Sequence, residues 1–431
     1  MTTRFEPAGA LRGTLRPPPD KSVSHRAALI AAMGEGETTI EGYLDAADTR
    51  STLTAVQALG AGVDHVGSGK FGLGLRIRGI GLRGAKPADI DVGNAGTLLR
   101  LLPGWLAGQG AGTWTLDGDE SIRRRPVDRI AEPLRAMGAE VGCRENRFTP
   151  VTVKGTPLKG IAYELPVASA QVKSCLLFAG LLAEGETRIT EPLPTRDHTE
   201  RMLIAAGAEI EYDGNAVVIQ PAEQLAIDRI LVPTDFSSSA FFIVAALLVA
   251  DSDIRLAGVG LNPTRTGLLA ILERMGGLVE AERYGEVSGE PVGAIVVRAS
   301  ELQGTEIGGA EVPLTIDELP LVALAACFAE GKTTIRDAKE LRRKESDRIA
   351  TVSAALAGLG GKVEPTADGM VIEGTDGLRG GAIDSHGDHR IAMLGAVAGL
   401  ASKEGVEVTG MDAAAVSYPG FEADLASLLG G

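Results

Sequence analysis

The sequence predicts an α/β protein assembled from six copies of one supersecondary unit, grouped as two domains of three. Three observations lead there. The same order of elements recurs along the chain. A length of 431 residues is more than one hydrophobic core serves, so two domains are expected. The balance of 44% hydrophobic and 23% charged residues is that of a globular chain.

The clearest copies are RAALIAAMGEGETTIEGYLDAADTRSTLTAVQALGAGV from Arg26, SCLLFAGLLAEGETRITEPLPTRDHTERMLIAAGAEI from Ser174, and LVALAACFAEGKTTIRDAKELRRKESDRIATVSAALAGLGGKV from Leu321. Each opens with an apolar helix. A Glu/Gly turn, a Thr/Ile strand, a polar loop, an amphipathic helix and a Gly-rich turn into another strand follow. Weaker copies start at Leu98, Ala240 and Arg390. The first helix of each copy is apolar all round and is expected to be buried on every side. The second carries apolar residues at helical spacing on one face, as in LLAILERMGG. The expected domains are 18–237, and 1–17 together with 238–431. The strand before Asp20 could pair with either half.

A net charge of −15 argues against a nucleic-acid binder or a basic membrane-surface protein. Local cation clusters therefore stand out as sites. Cys143, Cys175 and Cys327 form no CxxC pair, which argues against a disulfide framework or a zinc site. Cys175 and Cys327 sit in apolar runs and read as buried structural thiols. The first residues, MTTRFEPAGALRG, hold no apolar signal core, and no apolar run reaches about 20 residues. A cytoplasmic protein is expected.

The apolar helices begin with the wrong charges. A helix N-terminus favours anions. Yet Lys21, Ser22 and Arg26 open the first, and Gly93, Asn94, Gly96, Thr97 and Arg100 the second. Ser169, Gln171 and Lys173 open the third, and Asp388, His389 and Arg390 the sixth. Free backbone N–H groups, small residues, hydroxyls and a cation are the ingredients of an anion site. One such entrance is an ordinary capped helix; recurrence at equivalent places argues for more. The polar loops add Arg123, Arg124, Arg125, Arg196, Lys344 and Arg348, of which Arg123, together with Arg201 and Arg343, reads as solvated. Asp317 and Glu345 stand among these cations as struts or as proton-transfer groups. His25 is either an acid/base group or a structural hydrogen bonder. FGLGLRIRG lacks the helix of a dinucleotide fingerprint, no GxxxxGK[ST] loop occurs, and DSHGDH alone is a weak metal signal.

Taken together, PDKSVSHR, GNAGT–LR, RRRP, ASAQVKS, RDHTERM, NPTRTG, IDELP, KESDRI and DHRIAM closely resemble the 3-phosphoshikimate 1-carboxyvinyltransferase (EPSP synthase) family. They occur in the family's order from Lys21 to Met393. The resemblance implies the enolpyruvyl transferase fold: two similar domains of three βαβαββ repeats, inside-out α/β barrel-like, with the N-terminal strand in the C-terminal half. It implies transfer of the enolpyruvyl group of phosphoenolpyruvate to the 5-hydroxyl of shikimate 3-phosphate, in the shikimate pathway to chorismate and aromatic amino acids. No metal and no organic cofactor are implied, and the expected form is a monomer.

Carried over by motif, Lys21, Ser22, Arg26, Ser169, Ala170, Gln171, Arg196, Asp317 and Lys344 would meet shikimate 3-phosphate. Lys21, Gly96, Arg125, Gln171, Arg348 and Arg390 would meet phosphoenolpyruvate. Asp317 would be the base for the 5-hydroxyl. Glu345, alone or with Lys21, would handle the proton at C3. The two substrates carry about five to six negative charges, which explains the cations.

The chain departs from the family at several places. Ala170 replaces a second Ser of some members, Glu340 a common Asn, and Leu101 a common Pro. Val416 and Ser417 stand where many members have Lys. The family is a glyphosate target; Gly96 leaves room for it where tolerant members often carry Ala. The alternative, UDP-N-acetylglucosamine enolpyruvyl transferase, typically carries a Cys in the loop that reads DESIRRRP here, and none lies between Gly93 and Arg125. An RNA 3′-phosphate cyclase would share the unit but conflicts with the acidic charge. A non-catalytic repeat protein would not need Lys21, Asp317 and Glu345 together.

Overall fold

A computed structural model describes residues 1–69 and 71–430. The chain divides into two units, one of residues 19–233 with 286–290, the other of 1–18, 234–285 and 291–431. Each unit has its own hydrophobic core.

Within the first unit, one repeat can be followed in full. Strand Asp89–Asp91 leads into helix Gly96–Ala107, strand Thr113–Asp117, helix Asp128–Ala136 and the hairpin Glu140–Arg144/Phe148–Lys154. Asp89–Asp91 runs parallel to Thr113–Asp117, which pairs antiparallel with Phe148–Lys154, the centre of the hairpin. The sheet built on Ala162–Glu164 has the same order. The sheet around Glu37–Tyr43 does too, but its parallel strand is Arg229–Leu231, from the far end of the unit.

The second unit repeats the arrangement. Its sheet around Asp253–Gly260 takes its parallel strand from Arg12–Leu15. A further sheet is built on Lys332–Ile335. The last has three strands, with Thr2–Phe5 antiparallel to Val406–Thr409. Both N-terminal strands thus belong to the C-terminal half.

The repeat is punctuated by glycine. In the GEGET, AEGET and AEGKT turns the backbone is left-handed at Gly36, Gly185 and Gly331, with φ of 85°, 83° and 90°. A side chain would strain that turn. A Cβ at Gly104 would lie 2.0 Å from the Cys175 carbonyl oxygen, so the second and third apolar helices meet there backbone to backbone. The apolar helices Lys21–Met33, Phe236–Leu248, Leu319–Ala326 and His389–Ala401 are buried almost throughout, as their all-round apolarity predicts. Cys175 and Cys327 are buried within such segments.

The expected boundaries at 18 and 237 are corrected in detail. Pro18 and Thr234–Ser237 lie with the second unit. The Asp235 N–H donates to the Pro18 carbonyl at 2.9 Å, and Asp235 caps helix Phe236–Leu248. The segment Glu286–Glu290, tip of the hairpin Leu278–Val287/Glu290–Arg298, groups with the first unit. There the buried Glu290 meets His198 Nδ1 at 2.8 Å, and the Gly289 carbonyl accepts from Arg201 at 3.1 Å.

Among the described residues, no helix is long and apolar enough to cross a membrane. No group of three metal-ligating side chains occurs among them either.

Candidate active site

In the first unit the conflict at the helix entrance resolves locally. Asp20 caps helix Lys21–Met33, its Oδ1 accepting from the Val23 N–H at 2.8 Å. This carboxylate supplies the negative charge the helix end favours. Lys21 Nζ then reaches Asp48 Oδ2 at 3.0 Å. Arg26 is buried and spreads its fork over three acceptors: the Ser22 carbonyl at 2.9 Å, Thr199 Oγ1 at 2.7 Å and Ser174 Oγ at 3.1 Å. Burial, and then the neighbouring Arg196, bring its pKa down to about 10, so it stays charged at neutral pH. His25 is fully buried, with Nδ1 2.6 Å from Thr52 Oγ1. Burial, Lys21 and Arg26 hold it well below the usual histidine range. Its surroundings favour the neutral imidazole, which supports the structural reading.

The second entrance places Gly96 at the start of helix Gly96–Ala107. A Cβ there would lie 2.8 Å from Arg100 Nη1 and 3.2 Å from Arg125 Nη1. Arg125 ends helix Glu120–Arg124 and donates to Asn94 Oδ1 at 3.2 Å and Ser121 Oγ at 3.1 Å. At the third entrance Ser169 caps helix Ala170–Gly180, and Gln171 Nε2 donates to Thr97 Oγ1 at 3.4 Å, so the second and third entrances adjoin. Ser22, Ser169, Gln171 and Arg196 are partly exposed, whereas Ala170 is buried.

Lys173 is a correction. Read at the sequence level as part of an anion site, it is 1% exposed and lies 2.7 Å from Glu200 Oε1 and 2.8 Å from Glu191 Oε2. Burial favours its neutral form, but Glu200 and Glu191 outweigh that and keep the ammonium charged. Glu200, with burial the larger effect and Lys173 opposing, is held above the usual carboxylate range.

The second unit brings together the residues drawn from IDELP, KESDRI and DHRIAM. Asp317 precedes helix Leu319–Ala326; its Oδ1 is 3.1 Å from Lys344 Nζ and 3.7 Å from Arg348 Nη1. Arg348 is 1% exposed. Asp388 grips it at 2.9 and 3.1 Å, and Glu345 Oε2 meets it at 2.6 Å. Burial opposes its charge; Asp388 and Glu345 outweigh burial and raise its pKa. Asp388 also caps helix His389–Ala401 and accepts from Ser346. Burial would raise Asp388, and Arg348 more than offsets that, leaving it below the usual range. Arg390 donates to the Asp317 carbonyl at 2.9 Å.

The motif reading did not foresee the partners that hold these groups: Asp48, Ser174, Thr199, Arg265 and Glu318. Ser174, Thr199, Arg265 and Glu318 lie inside the quoted motifs ASAQVKS, RDHTERM, NPTRTG and IDELP, so their presence was visible and their pairing was not.

A family model described as EPSP synthase (3-phosphoshikimate 1-carboxyvinyltransferase) matches residues 5–425. The chain is 50% identical over 420 residues to a 3-phosphoshikimate 1-carboxyvinyltransferase of Geobacter sulfurreducens, covering 97% of this chain and 96% of that one. It is 48% identical over 430 residues to one from a Synechococcus species, covering 99% and 96%. Among solved structures, the EPSP synthase of Acinetobacter baumannii superposes with a TM-score of 0.86 at 41% identity, over 99% of this chain and 98% of that one. The enolpyruvyl transferase NikO of Streptomyces tendae shares the fold, with a TM-score of 0.79 at 18% identity, over 99% and 96%. The fold, the residues gathered at the helix entrances and the full-length match agree: the chain belongs to the EPSP synthase family.

Proposed function

We propose that this chain transfers the enolpyruvyl group of phosphoenolpyruvate to the 5-hydroxyl of shikimate 3-phosphate, releasing phosphate. The observation that carries the reading is Asp317, a partly exposed carboxylate set beside Lys344 and Arg348 in a chain that the EPSP synthase family model matches over residues 5–425. Lys21, Ser22, Arg26, Ser169, Ala170, Gln171, Arg196, Asp317 and Lys344 bind shikimate 3-phosphate. Lys21, Gly96, Arg125, Gln171, Arg348 and Arg390 bind phosphoenolpyruvate.

Asp317 takes the proton of the 5-hydroxyl as its oxygen attacks C2 of phosphoenolpyruvate. C3 gains a proton from Glu345 or Lys21. The tetrahedral adduct then loses phosphate from C2 and the proton from C3, which restores the enol. Cations that neutralise phosphate and carboxylate do the electrostatic work. At an effective dielectric of about 20, two like charges about 4 Å apart repel by about 4 kcal/mol, which sets the scale of that work. In this reading the enzyme is a cytoplasmic monomer needing no metal or organic cofactor, and glyphosate competes at the Gly96 entrance.

The test is phosphate release from phosphoenolpyruvate, with and without shikimate 3-phosphate, for the parent and Asp317→Ala, repeated with glyphosate. Release that needs both substrates and vanishes in the variant is expected. Release supported instead by UDP-N-acetylglucosamine would overturn the assignment.

A further inference from the structure

The motif NPTRTG has no role in the chemistry above, and Glu318 is the silent neighbour of the proposed base. The turn holding Arg265 is locked: Asn262 Oδ1 accepts from the Thr264 N–H at 2.9 Å and from its hydroxyl at 2.7 Å, and the Arg265 N–H donates to the Asn262 carbonyl at 2.8 Å. The turn projects the Arg265 side chain inward, where it is 5% exposed. Nη1 pairs with Glu318 Oε2 at 2.8 Å. Nη2 stands 4.0 Å from Asp317 Oδ2. Glu318 is fully buried; its other oxygen accepts from the Ser237 hydroxyl and lies 3.5 Å from Arg390 Nη1.

The two carboxylates therefore divide the cations. Lys344 and Arg348 face Asp317 through Oδ1, and Arg265 faces it through Oδ2. Arg390 donates to the Asp317 carbonyl and lies 3.5 Å from Glu318. An Arg fork matches a carboxylate in a bidentate pair when nothing else competes for it. Glu318 does compete: Nη1 pairs with it at 2.8 Å, while Nη2 stands 4.0 Å from Asp317 Oδ2. A guanidinium thus stands beside Asp317 without closing a bidentate pair on it.

We propose that Arg265 and Glu318 are positioning residues that set the basicity of Asp317 and, through Glu318, the placement of Arg390. This rests on the reading of Asp317 as the base.

The two substitutions act in opposite directions. Arg265→Met removes a cation close to the carboxylate, so the acid limb of the single-turnover rate moves to higher pH, by about one unit. Glu318→Gln weakens the hold on Arg265 and lets it close on Asp317. That limb then moves to lower pH, the rate falls by about tenfold, and KM for phosphoenolpyruvate rises more than KM for shikimate 3-phosphate. Should either single variant fail to fold, Arg265→Met/Glu318→Gln replaces the buried pair with neutral groups of similar size, and its limb should also move up. A purely structural pair would change stability and leave the acid limb of the folded enzyme in place. An unmoved limb in the folded variants, with Asp317→Asn inactive, overturns this inference alone. Turnover with an intact acid limb in Asp317→Asn overturns the base assignment beneath it.

Discussion

Replacing Lys173 by Met tests whether the cation at the third helix entrance belongs to the framework. Met has nearly the same length and buries without penalty, so the packing defect is small. What remains is two buried carboxylates, Glu191 and Glu200, 6% and 0% exposed, deprived of the ammonium 2.8 and 2.7 Å away. Removing one partner of a buried ion pair costs about 3–5 kcal/mol. Both tryptophans of the chain, Trp105 and Trp114, lie buried in residues 19–233. Urea unfolding followed by tryptophan emission therefore reports the affected unit.

The pH dependence gives the sign. Without Lys173 the buried Glu200, already held above the usual carboxylate range, loses the charge that opposed burial and titrates further above its unfolded value of about 4.3. Its protonated form supports the fold below that value, and this support is lost as pH rises through the folded pKa. The deficit against the parent is thus largest near pH 8 and narrows toward pH 5. Lys173→Met/Glu191→Gln/Glu200→Gln should recover most of the loss, because neutral groups bury without an unpaired charge. Equal stability of parent and Lys173→Met at pH 8, or a triple variant no better than the single one, would refute the reasoning.

Two further outcomes are expected. Gly96→Ala brings a methyl within 2.8 Å of Arg100 Nη1 and 3.2 Å of Arg125 Nη1, both flexible ends. Folding should be unchanged while steady-state kinetics show KM for phosphoenolpyruvate raised about tenfold, equivalent to about 1.4 kcal/mol. His25, buried and held far below its usual pKa, contributes stability above pH of about 6.5 that is lost as pH falls toward its folded value. His25→Asn should flatten that acid-side slope in tryptophan-monitored unfolding and leave no missing limb in the pH–rate profile between pH 6 and 8.

Much of the architecture was legible because the repeat writes it several times over. The apolar helices, the left-handed turn glycines Gly36, Gly185 and Gly331, and the entrance motifs recur at matching places. The entrances stood out as candidate anion sites because Lys and Arg at a helix N-terminus contradict the helix dipole. Lys173 broke the pattern. It sits two residues past Gln171 on a helix otherwise buried throughout, and its carboxylates come from positions 191 and 200, so no local spacing announced them. The closing strands were equally hidden: Arg229–Leu231 and Arg12–Leu15 complete sheets whose other strands lie far along the chain.

By itself, then, the sequence determined the repeat, the α/β class and the identity of the charged groups, since period, turn chemistry and helix-end charge are local properties. Tertiary structure alone decided how deeply each cation is buried and which carboxylates it meets. Lys173 and Lys21 look alike in sequence. One is sealed between two buried carboxylates, and the other is partly exposed and reaches Asp48 at 3.0 Å. Desolvation and partner distance separate them, and both depend on residues brought close only by folding.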